Sequence, residues 1–245
     1  MSIFWIKMLA ALSMLLDHMG LILFPNALWL RIVGRLAFPL YALCIAEGFA
    51  HTRHRGKYFL RIFLLGVICQ IGYSVVATQV YLGILLTFSL SIILMFFTDA
   101  LICAIRGKEQ KLSLLWQKLT DRKPRKCGSI VLCAVSLTLV LGTTVLLTQL
   151  VDVDYGLSGV LFPVLVYLGA FRWPKFATFT LGIGMMMCNF EHSTLPREWS
   201  ALALIPAALY NGKPGRIKLK YFFYVFYPAH LLILYAIAFL LHKIR

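Results

Sequence analysis

An aspartate and a histidine stand side by side in the otherwise apolar stretch LSMLLDHMGLILF, residues 12–24. Burying Asp17 and His18 in hydrocarbon is costly unless a partner, a cavity or a function offsets it. A carboxylate there can hold an arginine, and a neutral imidazole can take a proton from a reacting group. On a helix the two side chains diverge by about 100°, so they serve different partners. Asp17 is expected to pair with Arg35 of the next apolar segment, with Arg31 one turn above it, while His18 faces a cavity. The alternative for His18 is structural, a ring donating to a backbone carbonyl of another helix.

The segment KYFFYVFYPAHLLILY adds a second histidine, His230, two residues after Pro228. His18 and His230 lie roughly fifteen and eleven residues from the cytoplasmic ends of their helices, each within a turn or two of mid-membrane. Proline removes a backbone donor and bends its helix, which membranes tolerate beside a cavity or a neighbouring helix. Glu47, in ALCIAEGFAHTRHRGKY, is followed by His51, Arg53, His54, Arg55 and Lys57. This cluster reads either as an interface of snorkelling cations with Glu47 as counter-ion, or as a phosphate site helped by Lys213 and Arg216 of YNGKPGR.

The elements that must position these residues follow from composition. Of 245 residues 61% are hydrophobic and 13% charged, with a mean hydropathy of +0.85. Apolar segments of about 18 to 25 residues, long enough to cross a bilayer, recur throughout. The chain is thus expected to be an all-α polytopic membrane protein, one transmembrane domain over residues 1–245. About nine helices are expected, at 3–24, 28–50, 57–77, 80–105, 128–150, 156–171, 174–190, 197–210 and 219–241. The apolar N-terminus has no small-residue cleavage site and reads as a retained span.

The formal charge of +15 sits in short loops, as the positive-inside rule requires, and does not point to nucleic acid. With nine spans the basic clusters at 53–61, 106–126, 172–175 and 213–220 share one face with Lys7. This puts the N-terminus in the cytoplasm and the C-terminus outside. The basic loop 106–127 reads as a solvated segment on anionic lipid or as a short amphipathic helix. The six cysteines show no paired spacing and read as packing residues, with no metal site.

The stretches LDHMGLILFP, RIVGRLAFPLYALCIAEGFAHTRHRGKYFLRIFLLGVICQIGY, DYGLSGVL, ALYNGKPG and KYFFYVFYPAHLLILY together resemble the TraX family. That family is named for a membrane protein that acetylates the N-terminus of F-type conjugative pilin. The resemblance runs in order from about residue 8 to residue 235. TraX proteins are similar in turn to the membrane acyltransferase-3 group, where a first-helix histidine supports transfer from cytoplasmic acyl-CoA. His18 occupies that histidine's place, and Asp17, Arg31, Arg35, Glu47, Arg53, Asp154, Tyr155, Asn211, Lys213 and His230 fall on motif positions. Gly83 stands where the family often has an asparagine, and the basic loop is unmatched; both bear on substrate choice.

The resemblance implies an acetyl- or acyltransferase of the bacterial inner membrane, with acetyl-CoA as co-substrate and no metal. His18 would be the base, with Asp17 and His230 beside it and Arg35 or Tyr227 stabilising the oxyanion. Glu47, Arg31, His51, Arg53, Arg55, Lys57, Asn211, Lys213 and Arg216 would serve the acyl-CoA site. The acceptor is an amine or hydroxyl: a pilin-like peptide, a glycan or a small molecule. Direct transfer and an acyl-histidine both remain open, as does a homodimer. A proton-coupled transporter is the alternative, because relays also use buried His, Asp and Glu; a non-catalytic assembly factor of a conjugation apparatus is a third.

Overall fold

The computed structural model describes residues 1–76, 81–107, 126–169, 175–188, 197–213, 215 and 220–244. Most of the 106–127 loop and Arg216 lie outside them. The helices are α1 (Ile3–Ile22), α2 (Leu28–Gly34), α3 (Ala37–His51), α4 (Arg55–Val76), α5 (Ile84–Ile105), α6 (Lys126–Leu150), α7 (Gly156–Gly169), α8 (Lys175–Met187), α9 (Leu204–Ala208) and α10 (Lys220–Ile244). A 3-10 helix, Arg197–Ala203, precedes α9. Among the described residues five segments are long and apolar enough to cross a membrane: Ile3–Ile22, Leu28–His51, Ile84–Ile105, Gly128–Leu150 and Phe222–Leu241.

The chain divides into two compact units, one of Met1–Ala50 with Leu165–Arg245, the other of His51–Val164. In the first, α1 packs against α2 and α10. The hairpin turn spans residues 23–27, with the Ala27 carbonyl accepting from Leu30 N–H at 3.0 Å. The α1–α2 crossing is close because it carries glycines. A Cβ on Gly20 would meet Leu30 Cβ at 3.0 Å, and one on Gly34 would overlap the Asp17 side chain.

The expected helix over 28–50 is interrupted at Arg35–Leu36. Pro39 explains the position, because it has no N–H for the Arg35 carbonyl and its ring crowds that group. The eighth expected helix is a 3-10 turn followed by the five residues of α9.

In the second unit α5 packs against α4 and α6. A two-residue parallel ladder joins β1 (Tyr81–Leu82) to β2 (Asp152–Val153), and Asp154 N–H continues it to Leu82 O at 2.9 Å. The ladder satisfies backbone groups where two helices begin. Tyr155 has φ +61 and Gly156 φ +56. A left-handed tyrosine is strained, so packing must hold it: Gly159 leaves room for it, since a Cβ there would sit 2.6 Å from Tyr155 Cβ. Helix hydroxyls in this unit bond back one turn, as in Ser89 to Leu85 O at 2.8 Å and Thr98 to Leu94 O at 2.8 Å. Ser91 also donates to Val160 O on α7, at 2.8 Å.

Candidate active site

The first unit brings the two histidines together. His230 Nδ1 lies 2.8 Å from the Phe226 carbonyl, one turn back on α10. Its Nε2 lies 3.0 Å from His18 Nδ1 on α1, with ring centroids 5.0 Å apart. Phe226 stacks on the His230 ring at an interplanar angle of 12°, and His230 is only 4% exposed. Tyr227 meets the same ring edge-on at 6.0 Å between centroids.

This geometry sets the proton positions of the uncharged pair. A carbonyl only accepts, so His230 Nδ1 carries a hydrogen and its Nε2 is a lone pair. His18 Nδ1 must then donate to it, which leaves the lone pair of His18 on Nε2. The arrangement therefore presents one basic nitrogen, His18 Nε2, backed by a second imidazole able to share positive charge.

Asp17 is paired, but with Arg31 and not with Arg35 as expected. Arg31 Nη1 donates to Asp17 Oδ2 at 2.9 Å and reaches the Asp17 carbonyl at 3.5 Å. Counted from the hairpin, Asp17 lies five residues before the end of α1 at Ile22, and Arg31 and Arg35 lie three and seven after the start of α2 at Leu28, so the two arginines are equally offset in depth and depth alone does not choose between them. Arg35 is the C-terminal cap of α2.

Glu47, 6% exposed, accepts from Lys175 Nζ at 2.7 Å and from the Tyr210 hydroxyl at 2.9 Å. The Lys175 ammonium also sits 5.7 Å from the Tyr210 ring centroid. Next to the carboxylate the Tyr210 hydroxyl is harder to ionise than usual, burial being the larger cause. Glu47 thus ties α3 to α8 and the segment after α9. Sequence reading missed Lys175 and Tyr210, which lie 128 and 163 residues away.

The other candidates for an acyl-CoA site are divided between the units. In the second, Arg55 is ion-paired with Asp99 of α5, a partner sequence reading also missed. His51, Arg53 and Lys57 are exposed. In the first, Asn211 Oδ1 accepts from Lys213 N–H at 3.1 Å, closing a turn in which Gly212 has φ +72. The N-terminal residues dock on that turn through Ile3 N–H to Lys213 O at 2.9 Å and Asn211 N–H to Met1 O at 2.9 Å. Lys213 itself is exposed.

A family model described as TraX protein matches residues 2–238. A probable fimbrial assembly protein, FimC of serogroup H1, from Dichelobacter nodosus is 28% identical over 251 residues, covering 95% of this chain and 94% of that protein. An uncharacterized protein of Rickettsia prowazekii (strain Madrid E) is 36% identical over 74 residues, 30% of this chain and 28% of that protein. No solved structure matches the chain.

Proposed function

The chain belongs to the TraX family, and on that premise we propose that it is a membrane-embedded acetyltransferase moving an acetyl group from acetyl-CoA to an amine or hydroxyl acceptor. The contact between His230 Nε2 and His18 Nδ1 carries this reading, because it leaves one oriented basic nitrogen at a buried polar cluster. The acceptor's N–H or O–H proton passes to His18 Nε2 as the nucleophile attacks the thioester carbon. The C–S bond then breaks, and the departing thiolate takes that proton from His18. Arg35 or Tyr227 steadies the oxyanion formed between these steps. In the variant with an acyl-histidine, His18 Nε2 attacks the thioester carbon and the C–S bond breaks to expel the thiolate; the acceptor then attacks the acyl carbon, the C–N bond to Nε2 breaks, and the acceptor's proton ends on the thiolate.

Free cations are needed for the phosphates of the acyl donor. Arg53 and Lys57 of one unit and Lys213 of the other are the exposed side chains to test, one by one. The topology that goes with this function has nine spans in a bacterial inner membrane, N-terminus inside and C-terminus outside. The fimbrial-assembly name of the Dichelobacter relative supports a surface-appendage protein or a molecule assembled with it as the acceptor.

The direct experiment uses the purified chain in nanodiscs with labelled acetyl-CoA. Thiol release that depends on added acceptor, with label on that acceptor, is the expected result. Solute flux into sealed vesicles without acyl-CoA, and no thiol release, would replace this reading with a transporter.

A further inference from the structure

Three rings stand in line on α10, at Phe222, Phe226 and His230. A spacing of four puts them on one face of the helix. Phe222 stacks on Phe226 with ring centroids 5.6 Å apart and an interplanar angle of 25°, and Phe226 stacks on His230 at 5.0 Å and 12°. The His18 ring of α1 closes the column, 5.0 Å from His230 and tilted by 43°. Phe223, edge-on to Phe222 with centroids 5.3 Å apart, faces the Lys7 ammonium of α1 at 5.9 Å. Helix α1 therefore touches the column at both ends.

Phe226 meets His230 twice. Its carbonyl accepts from Nδ1 at 2.8 Å, and its ring covers one face of the imidazole. The hydrogen bond decides which nitrogen is protonated but leaves the ring plane soft, because rotation about the bond from Cβ to a histidine ring is broad and roughly two-fold. The stacked phenyl sets the plane. With the plane set, Nε2 points at His18 Nδ1, 3.0 Å away. The carbonyl belongs to the backbone and survives a side-chain substitution at 226, so the share of the phenyl ring can be removed by itself.

A histidine base that takes up a proton in a dry site needs a partner for the charge, and a buried carboxylate is the common one. Here neither imidazole is bonded to a carboxylate among the described residues, and Asp17, next to His18 in sequence, is held by Arg31. An aromatic face attracts a cation within about 6 Å of its centroid, and Phe226 lies inside that distance from His230. We propose that Phe226 is the positioning residue of the histidine pair: its ring fixes the plane of His230 and steadies the positive charge that arrives when His18 Nε2 takes the acceptor's proton. At that moment the proton on His18 Nδ1 passes to His230 Nε2, making His230 the imidazolium. It returns to His18 Nδ1 when the thiolate takes the proton from Nε2. The hold on the ring plane stands without the acetyltransferase reading; the charge-bearing role rests on it.

The test uses the whole chain in nanodiscs with ¹⁵N-labelled histidine, and thiol release from acetyl-CoA with ethanolamine, which offers both an amine and a hydroxyl. Phe226→Leu removes the ring and keeps the carbonyl. The single His18 tautomer should give way to a mixture, and kcat should fall about tenfold with an unchanged KM for acetyl-CoA. Phe226→Tyr, which keeps the aromatic face, should restore both. Pentafluorophenylalanine in place of Phe226 keeps shape and plane but reverses the charge distribution of the ring face. It should hold the wild-type tautomer and still lower kcat about tenfold; being near in shape to phenylalanine, it also decides the matter if the leucine variant does not fold. A folded Phe226→Leu protein with the wild-type tautomer would overturn the hold on His230, and wild-type kcat with the fluorinated ring would overturn the charge-bearing role. A wild type that releases no thiol would remove the acetyltransferase reading and that role together, while the nitrogen-15 signals still decide the hold on His230.

Discussion

His230 Nε2 lies 3.0 Å from His18 Nδ1, joining α10 to α1 across 212 residues of sequence. Because the Phe226 carbonyl fixes the other nitrogen of His230, the contact has a direction, from His18 as donor to His230 as acceptor. Nitrogen-15 spectra of the histidine rings should therefore show His18 protonated at Nδ1 and bare at Nε2. His230→Gln can keep a side-chain acceptor for His18 Nδ1, and His230→Leu cannot. The leucine variant should lose this tautomer bias and lower turnover with little change in the KM for acetyl-CoA.

Gly34 admits Asp17 to the α1–α2 crossing, and any Cβ there overlaps the carboxylate side chain. Gly34→Ala should destabilise the protein by about 1–3 kcal/mol and disturb the Arg31 ion pair, as overpacking does. Gly56, with nothing within 4 Å of an added Cβ, is the control. Gly56→Ala should be neutral or stabilising by up to about 1 kcal/mol through helix propensity. Melting of both variants in the same detergent checks the difference.

Removing either partner of Glu47 should cost stability, since the carboxylate stays buried. Tyr210→Phe should cost about 1 kcal/mol, and Lys175→Met about 1–3 kcal/mol because it strips a charge-assisted bond from a buried acid. Equal melting temperatures for wild type and Lys175→Met would show the contact to be energetically empty.

Arg53 and Arg55 should separate by phenotype although they are two residues apart. Arg55 is held by Asp99, so Arg55→Ala should lower stability. Arg53 is exposed, and Arg53→Ala should leave stability alone and raise the KM for acetyl-CoA several-fold. An unchanged KM in Arg53→Ala, Lys57→Ala and Lys213→Ala alike would count against all three as phosphate ligands.

Tyr81, in β1, has its phenol pushed above the usual range by burial and by the neighbouring Asp154 carboxylate, to which it hydrogen-bonds. A raised pKa in the folded state means stability fully present below the unfolded value of about 10 and lost as pH rises beyond it. Melting temperature should fall between about pH 10 and 11 in the wild type and fall less in Tyr81→Phe.

Much of the site was legible because charge in an apolar run is conspicuous. Asp17, His18 and His230 stood out that way, and the long spans announced a membrane protein. The partner of Asp17 is Arg31, not Arg35, and periodicity does not choose between them, because the two arginines stand one turn apart and equally offset in depth from the carboxylate. The break at Arg35 was present in the sequence as Pro39, masked by continuous hydrophobicity on both sides. Lys175, Tyr210 and Asp99 could not be read at all. Each pairs with a residue far along the chain or on a neighbouring helix, and nothing local in the sequence records such a meeting. The ladder between Tyr81–Leu82 and Asp152–Val153 is too short to carry an alternating pattern.

The most direct measurement is the rate of thiol release from acetyl-CoA by purified His18→Ala beside the wild type, with fold checked by melting and by the retained Asp17–Arg31 pair. A base that takes the acceptor's proton contributes about a hundred- to ten-thousand-fold, so the variant should lose that much turnover while staying folded. A folded His18→Ala protein that releases thiol at the wild-type rate would contradict the role of the histidine pair.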